Sequence, residues 1–398
     1  MPATNSAEQV PAAGQQRQPG QARRAQYLTG LLAAAGIGGA AAAFAARPAQ
    51  ARLAAGQDWS PFVLVAGLLL IGLVADADRL FAAAGYWLAR SARSGVLLFA
   101  GAAAIVGVVT ALLNLDTSVA FLTPVLVYTA RSRGGAGPAL LYGCLLLSNA
   151  GSLLLPGSNL TNLIVLGHLH LTGGQFLARM WLPWLGSLAV TGAVVAFCER
   201  QSLRASAAEP ARPQRPVLGL GLAGVLLAAV LVVTLRTPAI PVAVAGAVVV
   251  GIRLAKRREQ PRRVAEVLGI PVLAGLFGVA VALGTLGRAW AGPATLLAHL
   301  DSWATAAVAA ATSVLVNNLP AASLLAARTP GHPFSLLVGL NLGPNLCVTG
   351  SLAWLLWLRA ARGAGARPSI ARASRAGLVA VPLSMAVALG ALALTGSR

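Results

Sequence analysis

Residues 137–171 read GPALLYGCLLLSNAGSLLLPGSNLTNLIVLGHLHL. The run is too long for one straight bilayer crossing, which takes about 20 residues. Two polar clusters interrupt it, Ser148-Asn149-Ala150-Gly151-Ser152 and Pro156-Gly157-Ser158-Asn159-Leu160-Thr161-Asn162. From 134 to 178 there is no Asp, Glu, Lys or Arg. A second run, 333–358, has the same build, with Asn341-Leu342-Gly343-Pro344-Asn345 and then Thr349-Gly350-Ser351. Uncharged apolar sequence broken by Gly, Pro and Asn predicts discontinuous membrane helices. Such non-helical backbone is tolerated at membrane depth only inside protein or along a cavity.

Working outward, the other apolar blocks are 27–46, 60–75, 95–113, 117–130, 174–197, 217–235, 237–254, 268–287, 302–316, 319–328 and 376–396. The pairs 95–113/117–130 and 302–316/319–328 are each split by a short polar knot. Both predict a hairpin that enters the membrane and turns back. The whole chain carries 57% apolar and 10% charged residues, against about a quarter charged in soluble domains. The expected fold is therefore an all-α integral membrane protein. It has about nine membrane-spanning segments and two re-entrant hairpins, 95–130 and 302–328.

The net charge of +20 does not indicate nucleic-acid binding, because the arginines lie between the apolar blocks. They obey a positive-inside pattern. With the N-terminus in the cytoplasm, the groups Arg79/Arg90/Arg93, Arg131/Arg133, Arg200–Arg215, Arg253–Arg263 and Arg359–Arg375 all fall inside. The four histidines, His168, His170, His299 and His332, fall at or near the outer face. Residues 1–26 read as a disordered basic tail. The stretch 27–46 reads as a retained first helix rather than a cleaved signal peptide, because it is long for one and many spans follow. Cys144, Cys198 and Cys347 have no paired spacing, so neither a disulfide framework nor a metal site is expected.

The two halves resemble each other in opposite orientation. Pro61 to Leu68 is echoed by Pro271 to Leu276, and Thr110/Asn114 by Ser313/Asn317. Asn149-x-Gly151 with Gly157-Ser158 is echoed by Asn341-x-Gly343 with Gly350-Ser351. This gives a first repeat over 27–198, a cytoplasmic loop and connector helix over 199–236, and a second inverted repeat over 237–398. Inverted repeats with broken helices are the layout of many secondary transporters, with the substrate site near the midplane.

Asp116 is the only charged residue between Arg93 and Arg131. An intramembrane acid costs about 2.5–3.5 kcal/mol on insertion scales. It is the candidate proton carrier; a compatible structural role is to cap the helix beginning at Thr117. The candidate substrate-binding residues are the amides and hydroxyls of the knots and breaks. They are Asn114, Thr117, Ser118, Asn149, Ser152, Ser158, Asn159, Asn317, Asn318, Asn341, Asn345, Thr349 and Ser351. Such a lining suits a neutral polyhydroxyl solute, or a small anion on half-helix N-termini. The plainer alternative is that these side chains only stitch helices together.

At these residues the chain resembles the arsenical pump membrane protein family, within the ion transporter superfamily that includes the divalent anion/sodium symporters. The resemblance rests on Phe121-Leu122-Thr123-Pro124, the run Ser148 to Leu163, Asn317-Asn318-Leu319-Pro320, and Leu342-Gly343-Pro344 through Leu358. It covers roughly 60–396. It implies proton-coupled efflux of arsenite or antimonite across a bacterial plasma membrane, in some members with a soluble ATPase subunit. The chain departs from the family where Leu115 separates Asn114 from Asp116, and where Asn341 and Asn345 replace charged residues. A permease for small anions, such as a di- or tricarboxylate or an inorganic oxyanion, is the alternative transporter. A channel-like or non-transporting scaffold is the alternative outside carriers. Expected partners are membrane lipid, the solute and protons, with a homodimer as a further candidate. No nucleic acid, cofactor, metal or enzymatic activity is expected.

Overall fold

A computed structural model describes residues 19–167, 169, 171–204 and 219–395. The expectations for the tail up to residue 18, for loop residues 205–218 and for His168 and His170 lie outside the described residues. All described regular structure is helical.

The first half comprises α1 (Pro19–Ala46), α2 (Pro48–Ala77), α3 (Leu80–Ser91), α4 (Gly95–Leu112), α5 (Leu115–Ser132), α6 (Gly137–Gly151), α7 (Leu160–Leu166), α8 (Gly173–Cys198) and α9 (Arg200–Leu203). Helix α10 (Leu220–Thr234) follows. The second half comprises α11 (Ala239–Ala255), α12 (Pro261–Leu268), α13 (Ile270–Ala289), α14 (Gly292–Ala298), α15 (Ser302–Val316), α16 (Asn318–Leu325), α17 (Pro333–Leu342), α18 (Leu352–Gly363) and α19 (Ile370–Leu394). Helices α2, α4, α8, α19 and the α12–α13 stretch are long and apolar enough to cross a membrane. Shorter apolar helices cover Gly30–Ala46, α10, α11 and α15.

Three elements differ from the sequence expectation. Helix α2 begins at Pro48, twelve residues before the apolar block starting at 60, and the gap to α1 is the single residue Arg47. Residues 48–59 carry Gln, Arg and Asp, which lower hydropathy but sustain a helix well. Pro48 at the first position has no N–H to lose there. The loops 76–94 and 255–268 each contain an amphipathic helix, α3 and α12. Phe81 anchors α3 by stacking on Phe121 of α5, with ring centroids 5.6 Å apart.

Ion pairs gather at one end of the molecule. Asp76 pairs with Arg263 at 2.7 Å, Asp78 with Arg253, and Glu199 with Arg372. Asp78 also accepts from the Gly221 N–H at 2.7 Å, holding the start of α10. Two further pairs, Arg262–Glu266 and Arg263–Glu259, lie at the same arginine-rich end. The apolar flanks of the long helices stay exposed, for example Leu226, Leu227 and Val230 on α10 and Leu378, Leu383 and Val387 on α19. A bilayer covers such faces; water does not.

The halves cross-pair. Helix α1 packs on α13, and α11 packs on α2. Both crossings close on glycine. A Cβ at Gly67 of α2 would lie 2.7 Å from Ala243 Cα and 2.8 Å from the Val242 carbonyl oxygen of α11. A Cβ at Gly36 of α1 would strike the backbone of Gly275 in the same way. Small residues let membrane helices approach this closely. Gly67→Val should therefore lower stability by about 1–3 kcal/mol, the usual cost of forced overpacking. A thermal unfolding midpoint in detergent equal to wild type would contradict this packing.

Candidate functional site

Both hairpins return to the end at which they start. Beyond α5, Arg133 donates to the Ala92 carbonyl, just before α4, at 2.5 Å. Nearby, Ala136 N–H donates to Ser202 of α9 at 3.0 Å. The first hairpin thus opens at the arginine-rich end. At the opposite end Ser302, opening α15, shares a 3.2 Å hydrogen bond with His332 beyond α16. His332 and His299 sit at this second end, at the N-cap of α17 and the C-cap of α14. The hairpin arms are unequal there, since α16 has 8 residues and α15 has 15.

Four half-helices begin at the breaks and knots, α5, α7, α16 and α18. Leu115 and Val119 of α5 pack with Ala353 and Trp354 of α18. Leu319 and Ala322 of α16 pack with Leu160 and Ile164 of α7. Each pair joins a hairpin of one half to a broken helix of the other. The first N–H groups of a helix have no intrahelical acceptor, and their end of the dipole is positive.

At the first tip, Asn114 is the N-cap and accepts from Thr117 N–H at 2.6 Å. Asp116 therefore does not cap this helix; it stands in the first turn. It is half-buried and makes no hydrogen bond or ion pair with a described residue. In the same hairpin, the Asn114 Nδ2, Thr117 Oγ1 and Thr110 Oγ1 atoms are buried without partners among the described residues. Ser118 Oγ lies 3.3 Å from Ser148 Oγ of α6. Ser351, at the N-cap of α18, also has an unpartnered buried hydroxyl.

At the second tip the backbone of Asn317 turns through φ +76°. Non-glycine residues rarely adopt this region, at a cost of about 1–3 kcal/mol. Local bonds hold it: Asn317 Nδ2 to the Thr349 carbonyl at 3.1 Å, Asn318 N–H to the Gly350 carbonyl at 2.8 Å, and Thr349 Oγ1 to the Val314 carbonyl at 2.6 Å. The second hairpin is thus clasped to the break before α18.

The remaining amides form one network between the halves. Asn341 Oδ1 accepts from Ser152 Oγ at 2.7 Å, Asn159 Nδ2 at 2.6 Å and Thr161 Oγ1 at 3.5 Å. Its Nδ2 donates to Asn162 Oδ1 and the Leu337 carbonyl, both at 2.8 Å. Asn345 accepts from Asn149 at 2.9 Å and donates to the Leu146 carbonyl at 3.0 Å. Ser158 Oγ and Asn162 Nδ2 both donate to the Ser152 and Leu155 carbonyls of the unwound stretch. Trp184 caps the Gly151 carbonyl at 3.1 Å, and Trp354 caps that of Pro344 at 2.8 Å. Buried polar backbone is satisfied here by side chains in place of helix bonds.

The sequence-predicted residues thus fall into four groups. Asn341, Asn345, Ser152, Ser158, Asn159 and Asn149 are joined in the network, with Asn149 Oδ1 alone left unpartnered. Asn114, Asp116, Thr117 and Ser351 keep polar groups without a partner among the described residues, and Thr117 packs against Gly72 of α2. Ser118 lies beside Ser148, and Asn317, Asn318 and Thr349 form the clasp. Sequence reasoning missed Thr161 and Asn162, whose partners are 180 and 179 residues distant. It also missed Asp58, which lies outside the apolar block starting at 60.

The fold is similar to that of a solved transporter. The YdaH transporter of Alcanivorax borkumensis aligns over 86% of each chain, with a TM-score of 0.50 and 18% identity. That likeness concerns the fold alone. The profile of the citrate transporter family matches residues 24–357, from within α1 to α18. The chain belongs to the citrate transporter family. This membership makes it a multi-pass membrane transporter of small molecules or ions, in a lipid setting. The match spans both hairpins and both broken helices.

Proposed function

We propose that the chain is a proton-coupled secondary transporter that exports a small uncharged trihydroxide, arsenite or antimonite. Asp116 carries the reading: a lone carboxyl in the first turn of a half-helix, without a partner among the described residues, in a hairpin that also holds unpartnered amide and hydroxyl groups. No Lys or Arg occurs in 134–178, 302–327 or 329–358. An ionised Asp116 would repel a multiply charged anion, whereas a neutral trihydroxide only needs hydrogen-bond partners. Proton entry through Asp116 would return the carboxylate to its starting state after each solute leaves. The setting is a bacterial plasma membrane, with the arginine-rich end in the cytoplasm.

The family's name favours a second reading, a permease for citrate or another small anion. Four half-helix N-termini, each worth roughly half a positive charge, would supply its binding field. Everted membrane vesicles decide between the two. The first reading expects antimonite accumulation driven by a proton gradient and no effect of excess citrate. Gradient-driven citrate accumulation without antimonite uptake would overturn it in favour of the second.

A further inference from the structure

Asp58 is the second acid within an apolar span, eleven residues into α2. It is 1% exposed, and neither carboxylate oxygen has a hydrogen bond of good geometry. Three elements, α2, α13 and α16, meet one helical turn before it. A point one bond from the Gly284 Cα of α13 is 3.1 Å from Ala54 Cβ, one turn before Asp58 on α2. The same point is 3.2 Å from Arg288 Nη1 and 3.6 Å from the Ser323 carbonyl oxygen of α16. The groups facing Asp58 are Arg288 and Ser323, and Arg288 is the one charged group among them.

Arg288 nonetheless bonds elsewhere. Its Nη2 donates to Gln57 Oε1 and its Nη1 to the Gly284 carbonyl, the latter at 2.9 Å. Gln57 Nε2 in turn donates to the Ile164 carbonyl of α7 at 3.0 Å and to the Ala326 carbonyl at the end of α16 at 3.1 Å. An ionised carboxylate this buried, with no hydrogen bond of good geometry and a guanidinium beside it bonded to a neutral amide, is an unstable arrangement. A neutral carboxylic acid removes the conflict. A metal cation in its place would meet the Arg288 charge and too few free oxygens.

We infer that Asp58 is a proton-binding site on α2 facing the second hairpin, distinct from Asp116, and that Arg288 exchanges between Gln57 and Asp58 as the proton comes and goes. With the proton bound, Arg288 holds Gln57, and Gln57 ties α7 to the end of α16. With the proton released, the carboxylate draws the guanidinium away and loosens that tie. The step moves only a proton between carboxyl and water. Its part in transport rests on the proton-coupled reading above; the protonation itself does not.

Infrared difference spectroscopy between acid and alkaline pH, on the full chain in proteoliposomes, tests it. The expected result is a carboxylic-acid C=O band that persists in Asp116→Asn and vanishes in Asp58→Asn. Asp58→Glu, which keeps a carboxyl, should retain the band at a displaced frequency and serves if the amide variant does not fold. An Asp58-dependent band absent at every pH, or a band unmoved in Asp58→Glu, would overturn the assignment. The coupling reading fails separately, if proton-driven transport survives in Asp116→Asn while the Asp58 band is present.

Discussion

Asp116→Asn should reduce proton-driven transport to the level of protein-free vesicles and leave the protein folded. The amide has the same shape as the acid and cannot carry the proton. Stability should change little. The variant loses a favourable acid–dipole interaction of about 0.3–1 kcal/mol at the start of α5. It also escapes the cost of a charge at membrane depth. Solute exchange without a gradient should persist, because the neighbouring Asn114, Thr117 and Ser351 groups are intact. Flux measured with and without an imposed pH gradient, on matched amounts of purified protein, separates these outcomes. Full proton-driven transport in Asp116→Asn would remove the residue from coupling.

The second large effect is on the fold. Asn341→Leu should destabilise the protein by about 2–4 kcal/mol. Asn341 is fully buried and holds Ser152, Asn159, Thr161 and Asn162 of the opposite half. Single interhelical bonds in membrane proteins average only about 0.6 kcal/mol. Here one side chain serves several partners, and a buried group left unpaired costs about 1–3 kcal/mol. Ser152→Ala removes one of these bonds and should cost much less. Equal unfolding midpoints for Asn341→Leu and wild type would show that the network does not hold the halves together.

These two residues also mark how far the sequence could be read. Breaks at 149–152 and 341–345 were legible because Asn, Gly and Pro interrupt uncharged apolar runs. Helix α15 ends at Val316 as expected, because Asn317 and Asn318 follow it. Which amides spend their hydrogen bonds on each other was not legible. That depends on which halves meet, and the partners of Asn341 lie 179–189 residues away. Asp58 was hidden for a different reason. Arg52, Gln57 and Asp58 lower the hydropathy of the first half of α2, so its apolar block seemed to begin after them. Helices α3 and α12 were hidden because arginines flank their short apolar faces.

The central claim is that solute and proton move in opposite directions through one protein. Purified chain is reconstituted into liposomes loaded with arsenite and a trapped pH dye, then placed in arsenite-free medium without ATP. Arsenite leaving in exchange for protons should acidify the lumen, and the acidification should vanish in Asp116→Asn. Arsenite loss with no change in lumenal pH, or no loss beyond that of empty liposomes, would contradict it.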